Sequence, residues 1–139
     1  MRLDTTLLER SLVQLEENLA LLDSGIDAGN PALRRALERG AIQAFAFTYA
    51  VAVGLLQRQM RQIAPAPAEL NRMEWKDVLR AAADTGLIPD VERFFDYREK
   101  HNLTSHTYRE EIALELLAVL SPFVQDMRFL LNELQARNR

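Results

Sequence analysis

The chain has 139 residues, 17 basic against 20 acidic, and a formal net charge of -3, so its overall field does not mark it as a nucleic-acid binder. That length fits one domain over residues 1–139 with a core large enough to fold without disulfides. The absence of cysteine excludes disulfide frameworks, thiolate catalysis and cysteine zinc sites, and suits a reducing cytoplasm. No segment is expected to approach the ~20 apolar residues of a membrane span. The start Met1-Arg2-Leu3-Asp4 lacks the apolar stretch of a signal peptide. A soluble cytoplasmic protein, not membrane-associated, is therefore the expectation.

Leu8, Leu12, Leu15, Leu19 and Leu22 follow the spacing of a helix packed nearly antiparallel to others. Thr6 with Glu9 offers a capping box and Gly25 a stop, so the first helix is predicted from about Thr6 to Ser24. Asn30-Pro31 pairs a capping side chain with a proline whose missing N–H costs nothing in a first turn. The second helix then runs to about Ile63. Its middle, Ala41 to Leu56, is apolar on most faces, with alanines alternating with Phe45, Phe47 and Tyr49. A helix apolar all round needs partners on more than one side, which predicts a central bundle helix or a subunit interface.

Ala64-Pro65-Ala66-Pro67 is predicted to break that helix and form a stiff connector. A shorter helix, Met73 to Thr85, places Trp75, Val78, Leu79 and Ala82 at helical spacing before Gly86. Pro89-Asp90 then opens a fourth helix with Val91, Phe94 and Phe95 inward. Thr107 with Glu110 suggests a second capping box, starting the last helix beside Tyr108. That helix carries an apolar seam of Ile112, Leu116, Val119, Phe123, Met127, Leu130 and Leu134, with a kink expected at Ser121-Pro122. No stretch alternates with period two. The predicted fold class is all-α: an up-and-down four-helix bundle of about five helical segments, one arm split between Gly86 and Asp90, and a homodimer through the second helix.

Chemistry concentrates in His101-Asn102-Leu103-Thr104-Ser105-His106-Thr107-Tyr108, which holds both histidines of the chain. Histidine is the side chain whose ordinary ionisation falls closest to neutrality. On a continuous helix Asn102 and His106 would lie about 40° apart with Arg98 one turn earlier, whereas His101 would lie about 140° from His106. Helical spacing thus groups Arg98, Asn102 and His106; a chain that unwinds near Thr104 could instead bring His101 to His106. Two imidazoles beside a phosphodiester can divide general base and acid work, with Arg98 offsetting phosphate charge, as metal-independent RNA cleavage requires. The plainer alternative is that His106-Thr107-Tyr108 only caps the last helix. The histidine spacing, without a carboxylate triad nearby, is poor for zinc, and no Gly-rich phosphate loop or serine elbow is present, so no metal and no cofactor are expected. The basic residues Arg34, Arg35, Arg58, Arg61, Arg93, Arg98, Lys100 and Arg109 read as solvated helix flanks, a shared cleft being the alternative.

The same segment resembles the Arg-Asn-Leu-Thr-Ser-His-Thr-Tyr signature of nucleotidyltransferase substrate-binding proteins of the HEPN superfamily. The resemblance extends to Gln43-Ala44-Phe45-Ala46-Phe47-Thr48-Tyr49, to Trp75-Lys76-Asp77-Val78-Leu79-Arg80-Ala81-Ala82, and to Gly86-Leu87-Ile88-Pro89-Asp90. It implies a helical-bundle dimer working beside a separately encoded minimal nucleotidyltransferase, often as the toxin half of a toxin–antitoxin pair. It implies one of two activities. Either the dimer is a ribonuclease whose motif Arg and His cleave RNA, or the partner transfers AMP to the motif tyrosine, here Tyr108. The chain departs from the signature at His101, where the family has Arg, so a permanently charged fork is replaced by an imidazole. Arg98, the nearest substitute, is eight residues from His106 and outside the family spacing; the residue chemistry and the resemblance together make His106, His101, Arg98 and Asn102 the candidate catalytic residues, and the resemblance makes Tyr108 the candidate modification site, with Ser105 and Thr107 in support. A phenol needs a base to act as acceptor, and His106 could supply it.

Overall fold

The computed structural model describes residues 2–63 and 67–139. Among them the chain forms seven α-helices: α1 (Thr6–Asp23), α2 (Pro31–Ile63), α3 (Pro67–Leu70), α4 (Trp75–Asp84), α5 (Val91–Asn102), α6 (Glu110–Ala118) and α7 (Leu120–Arg137), with a 3-10 turn over Thr104–His106. The all-α class is as the sequence predicts. Four arms, α1, α2, α4 with α5, and α6 with α7, make the bundle.

Long-range contacts fix the directions of the arms. Leu3 N–H donates to Asn138 Oδ1 and Asn138 Nδ2 to Gln59 Oε1, so the start of α1 meets the ends of α2 and α7. Arg137 reaches the Thr85 carbonyl after α4, Arg93 of α5 meets Asp126, and Lys100 pairs with Glu115 of α6. The third arm therefore runs antiparallel to the fourth, giving the up-and-down order. Leu8, Leu12 and Leu15 of α1 are fully buried against Phe45, Leu56, Phe123, Met127 and Leu134 of α2 and α7. Burying each such side chain contributes ~1.5–3 kcal/mol.

Local signals account for most boundaries. Asn30 Oδ1 accepts from Leu33 N–H at 3.1 Å, and Asp90 Oδ1 accepts from Glu92 and Arg93 N–H at 2.9 and 3.3 Å. Gly86, at φ +77°, closes α4: its own N–H reaches Ala83 O and that of Leu87 reaches Ala82 O, both at 3.0 Å. A residue with a Cβ would be strained there. The break near Ser121-Pro122 falls three residues upstream of the proline, between α6 and α7 at Val119. Pro122 has no N–H for the Ala118 carbonyl and its ring would crowd that oxygen, so the helix ends at Ala118 and restarts.

Other expectations are corrected. Neither capping box forms: Thr6 lies inside α1 and its N–H is taken by Asp4 Oδ1 at 2.9 Å, while the N-cap of α6 is Arg109, extended and without a capping side chain. Of the expected proline connector, Ala64, Pro65 and Ala66 lie outside the described residues, and Pro67 opens the short α3. The expectation that no segment approaches a membrane span does not hold. An 18-residue window of α2 is long and apolar enough to cross a bilayer by length and composition, because residues 40–57 carry no charge. Within the protein 44% of that window is buried, so protein packing answers part of its apolarity. Phe47, 49% exposed, lies on the part left open.

Candidate functional site

The signature segment begins on the last turn of α5 and leaves it. Leu103 N–H bonds to the Lys100 carbonyl at 3.0 Å, three residues back, and the Thr104 hydroxyl donates to the His101 carbonyl at 2.7 Å. His106 N–H bonds to Leu103 O and Arg109 N–H to His106 O, so tight three-residue turns carry the chain to α6. A three-residue period rotates side chains away from the α-helical register. The helical grouping of Arg98, Asn102 and His106 is therefore corrected: α5 stops at Asn102 and His106 stands on a turn.

Two separate groups result. In the first, the His101 ring stacks on Tyr49 of α2, with centroids 4.6 Å apart and planes 29° apart. Burial lowers the His101 pKa below its ordinary value; the Ala46 carbonyl opposes this, and the nearby Arg98 charge adds to it. His101 is thus held toward its neutral form and does not reproduce the permanent charge of an arginine. Arg98 lies with its guanidinium 4.3 Å over the Trp75 ring, and its charge acts on the nearby Tyr49 hydroxyl. Burial raises the Tyr49 pKa and Arg98 offsets part of the rise.

In the second group, His106 and Tyr108 share the exposed turn, ring centroids 6.2 Å apart at 66°. Tyr108 is 81% exposed, unusual for an aromatic ring of its size. Asn102 and Ser105 are exposed and Thr107 is half-buried. The alternative in which unwinding joins the two histidines is not realised as a ring contact, since His101 packs on Tyr49 and His106 against Tyr108.

The basic residues divide as well. Arg34, Arg93, Lys100 and Arg109 are in ion pairs with Asp27 and Glu38, Asp90 and Asp126, Asp96 and Glu115, and Glu111 respectively. Arg61 and Arg98 line one cleft, and Arg58 lines another groove with Asp4 and Leu7. Among the described residues no three His, Cys, Asp or Glu side chains come together to hold a metal.

Sequence reasoning missed the residue that anchors α5. Asp126, 4% exposed, accepts from Arg93 Nε at 2.7 Å and Nη2 at 2.8 Å, and from the buried Tyr97 hydroxyl at 2.5 Å. Burial and that hydrogen bond push the Tyr97 phenol far above its usual range. The signal was present: an acid stands between Phe123 and Met127 on the apolar seam of α7, where it must find partners. Tyr49 and Trp75, read as packing residues, also border the motif.

The family described as nucleotidyltransferase substrate binding protein like matches residues 3–136, and the chain belongs to it, within the HEPN superfamily. It is 33% identical over 132 residues to "Probable ribonuclease HepT" of Haemophilus influenzae, covering 95% of this chain and 87% of that relative. Its fold matches the solved structure of HI0074 from the same organism, described as a substrate binding domain of a nucleotidyltransferase, with a TM-score of 0.90 and 31% identity over 95% of this chain and 99% of that one.

Proposed function

We propose that this protein is a cytoplasmic, dimeric partner of a separately encoded minimal nucleotidyltransferase, and that Tyr108 accepts AMP from that enzyme. The observation that carries the reading is the exposure of Tyr108, the last residue of the family signature, on a tight turn beside the imidazole of His106. In the transfer the Tyr108 oxygen attacks the α-phosphorus of ATP, a new phosphorus–oxygen bond forms, the bond to pyrophosphate breaks, and the phenolic proton passes to a base. His106, whose ring centroid lies 6.2 Å from that of Tyr108, is the base proposed to take it. Nothing stands over Tyr108 that a partner enzyme would have to displace, and family membership supports a nucleotidyltransferase as that enzyme. Homodimerisation is supported by the uncharged window of α2 with its exposed Phe47, next to Leu7, 53% exposed, on α1. Co-expression with the neighbouring nucleotidyltransferase tests the reading: a stable complex or an AMP-sized mass increment on Tyr108 is expected, and the absence of both would overturn it.

A second reading, a metal-independent endoribonuclease toxin, is favoured by the name of the Haemophilus influenzae relative. In it His106 is the exposed acid–base group, and Asn102 and Ser105 contact the RNA, with Thr107 holding the turn. The charge missing at His101 is supplied by Arg98, close enough to act on His101 electrostatically. Loss of RNA cleavage in His106→Ala is expected; cleavage unchanged in that variant would dismiss this reading. In a third, purely structural reading, His106→Ala lowers stability by ~1 kcal/mol and changes nothing else.

A further inference from the structure

We propose that the cleft between the C-terminal half of α2 and the α3–α4–α5 side of the bundle binds a small phosphate monoester, a sugar phosphate or mononucleotide, through Arg61 and Arg98. The cleft has a volume of about 380 Å³, within the ~300–1,000 Å³ typical of small-molecule sites and larger than a bare phosphate needs. The chain as a whole is acidic, yet among the described residues no carboxylate lines this cleft and neither Arg61 nor Arg98 makes an ion pair. Several other basic side chains among the described residues make no ion pair either; Arg61 and Arg98 differ from them in lining one cleft together.

Both guanidinium groups are also pre-positioned. Arg98 lies 4.3 Å over the Trp75 ring, so one face of its guanidinium is covered by the indole. Arg61 donates from Nη2 to Asn71 Oδ1 at 3.2 Å, leaving most of its five donors unused. A phosphate monoester carries about -1.5 to -2 charges at neutral pH and accepts forked hydrogen bonds, so it matches two arginines, where a carboxylate would match one. The amides of Gln57 and Asn71 line the remaining space and suit the hydroxyls of an attached sugar. The assignment does not rest on the AMP-acceptor reading, because neither Tyr108 nor His106 lines the cleft.

Trp75, the single tryptophan of the chain, stands in the cleft wall and reports on it directly. Titrating the full chain with ribose 5-phosphate, and separately with inorganic phosphate, while following its emission is the test. A saturable change with ribose 5-phosphate is expected, weakened about tenfold or more in Arg61→Gln and in Arg98→Gln and unchanged in Tyr108→Phe. Arg98→Gln also loses packing on Trp75; Arg61 is exposed on the last turn of α2, so Arg61→Gln keeps the fold and decides the matter. No saturable change with either phosphate, the same curve in Arg61→Gln as in the wild type, or a response to RNA but not to ribose 5-phosphate would each overturn the assignment.

Discussion

Replacing Asp126 with alanine removes the carboxylate that fastens α5 to α7, and the structure sets the size of the loss. The Tyr97 hydroxyl is bonded to Asp126 at 2.5 Å in a residue only 2% exposed, so it is left without a partner in the core at a cost of ~1–3 kcal/mol. The forked Arg93 bonds contribute less than a buried pair would, because the Arg93 side chain is 45% exposed and keeps Asp90 at 3.0 Å; ~1 kcal/mol is the discounted figure. The expected total is roughly 2–4 kcal/mol, or ~6–12 °C in Tm for a domain of this size. Urea unfolding of Asp126→Ala measures it. In the Asp126→Ala background, adding Tyr97→Phe should cost little or restore stability, since it removes the stranded hydroxyl, whereas Tyr97→Phe alone should destabilise. An Asp126→Ala variant within about 0.5 kcal/mol of the wild type would refute the reasoning.

The folded chain holds His101 below its ordinary pKa, so on acidification the unfolded chain takes up the proton first; this contribution is complete above about pH 6.5 and is lost as the pH falls below it. Wild-type stability should therefore fall more steeply than that of His101→Phe between about pH 7 and 5.5, and parallel curves would dismiss the burial argument. Gly86→Ala places a Cβ at φ +77° and should cost ~1 kcal/mol by thermal melting, whereas no loss would mean that the α4 cap relaxes freely. Phe47→Glu puts a charge on the open face of α2 and should convert the homodimer proposed above to monomers in light scattering; a wild type that is already monomeric, or a dimer that the substitution leaves intact, would contradict an interface on this face.

The scaffold was legible where a local rule acted without competition. Asn30-Pro31 opens α2, Gly86 closes α4 and Asp90 caps α5, because each supplies a backbone partner or dihedral that few other residues can. The capping boxes were not, since Asp4 satisfies Thr6 N–H first and leaves Thr6 to enter the helix. The motif was visible as a cluster of types but not as a geometry. Thr104 takes the His101 carbonyl with its hydroxyl and the backbone tightens to a three-residue period, which turns His106 away from the face that helical spacing assigned to it. The partner of His101 lies on α2, more than fifty positions earlier, and only the packing of α5 on that helix brings Tyr49 beneath the imidazole. The ion-pair pattern was equally hidden, because which arginines meet carboxylates depends on how the arms align.

The account turns on Tyr108 as an exposed acceptor beside His106, and intact mass after co-expression with the neighbouring nucleotidyltransferase tests it most directly. An AMP-sized increment present in the wild type, lost in Tyr108→Phe and reduced in His106→Ala is the predicted result. An increment that persists in Tyr108→Phe, or an unmodified wild type that forms no complex with the enzyme, would contradict it.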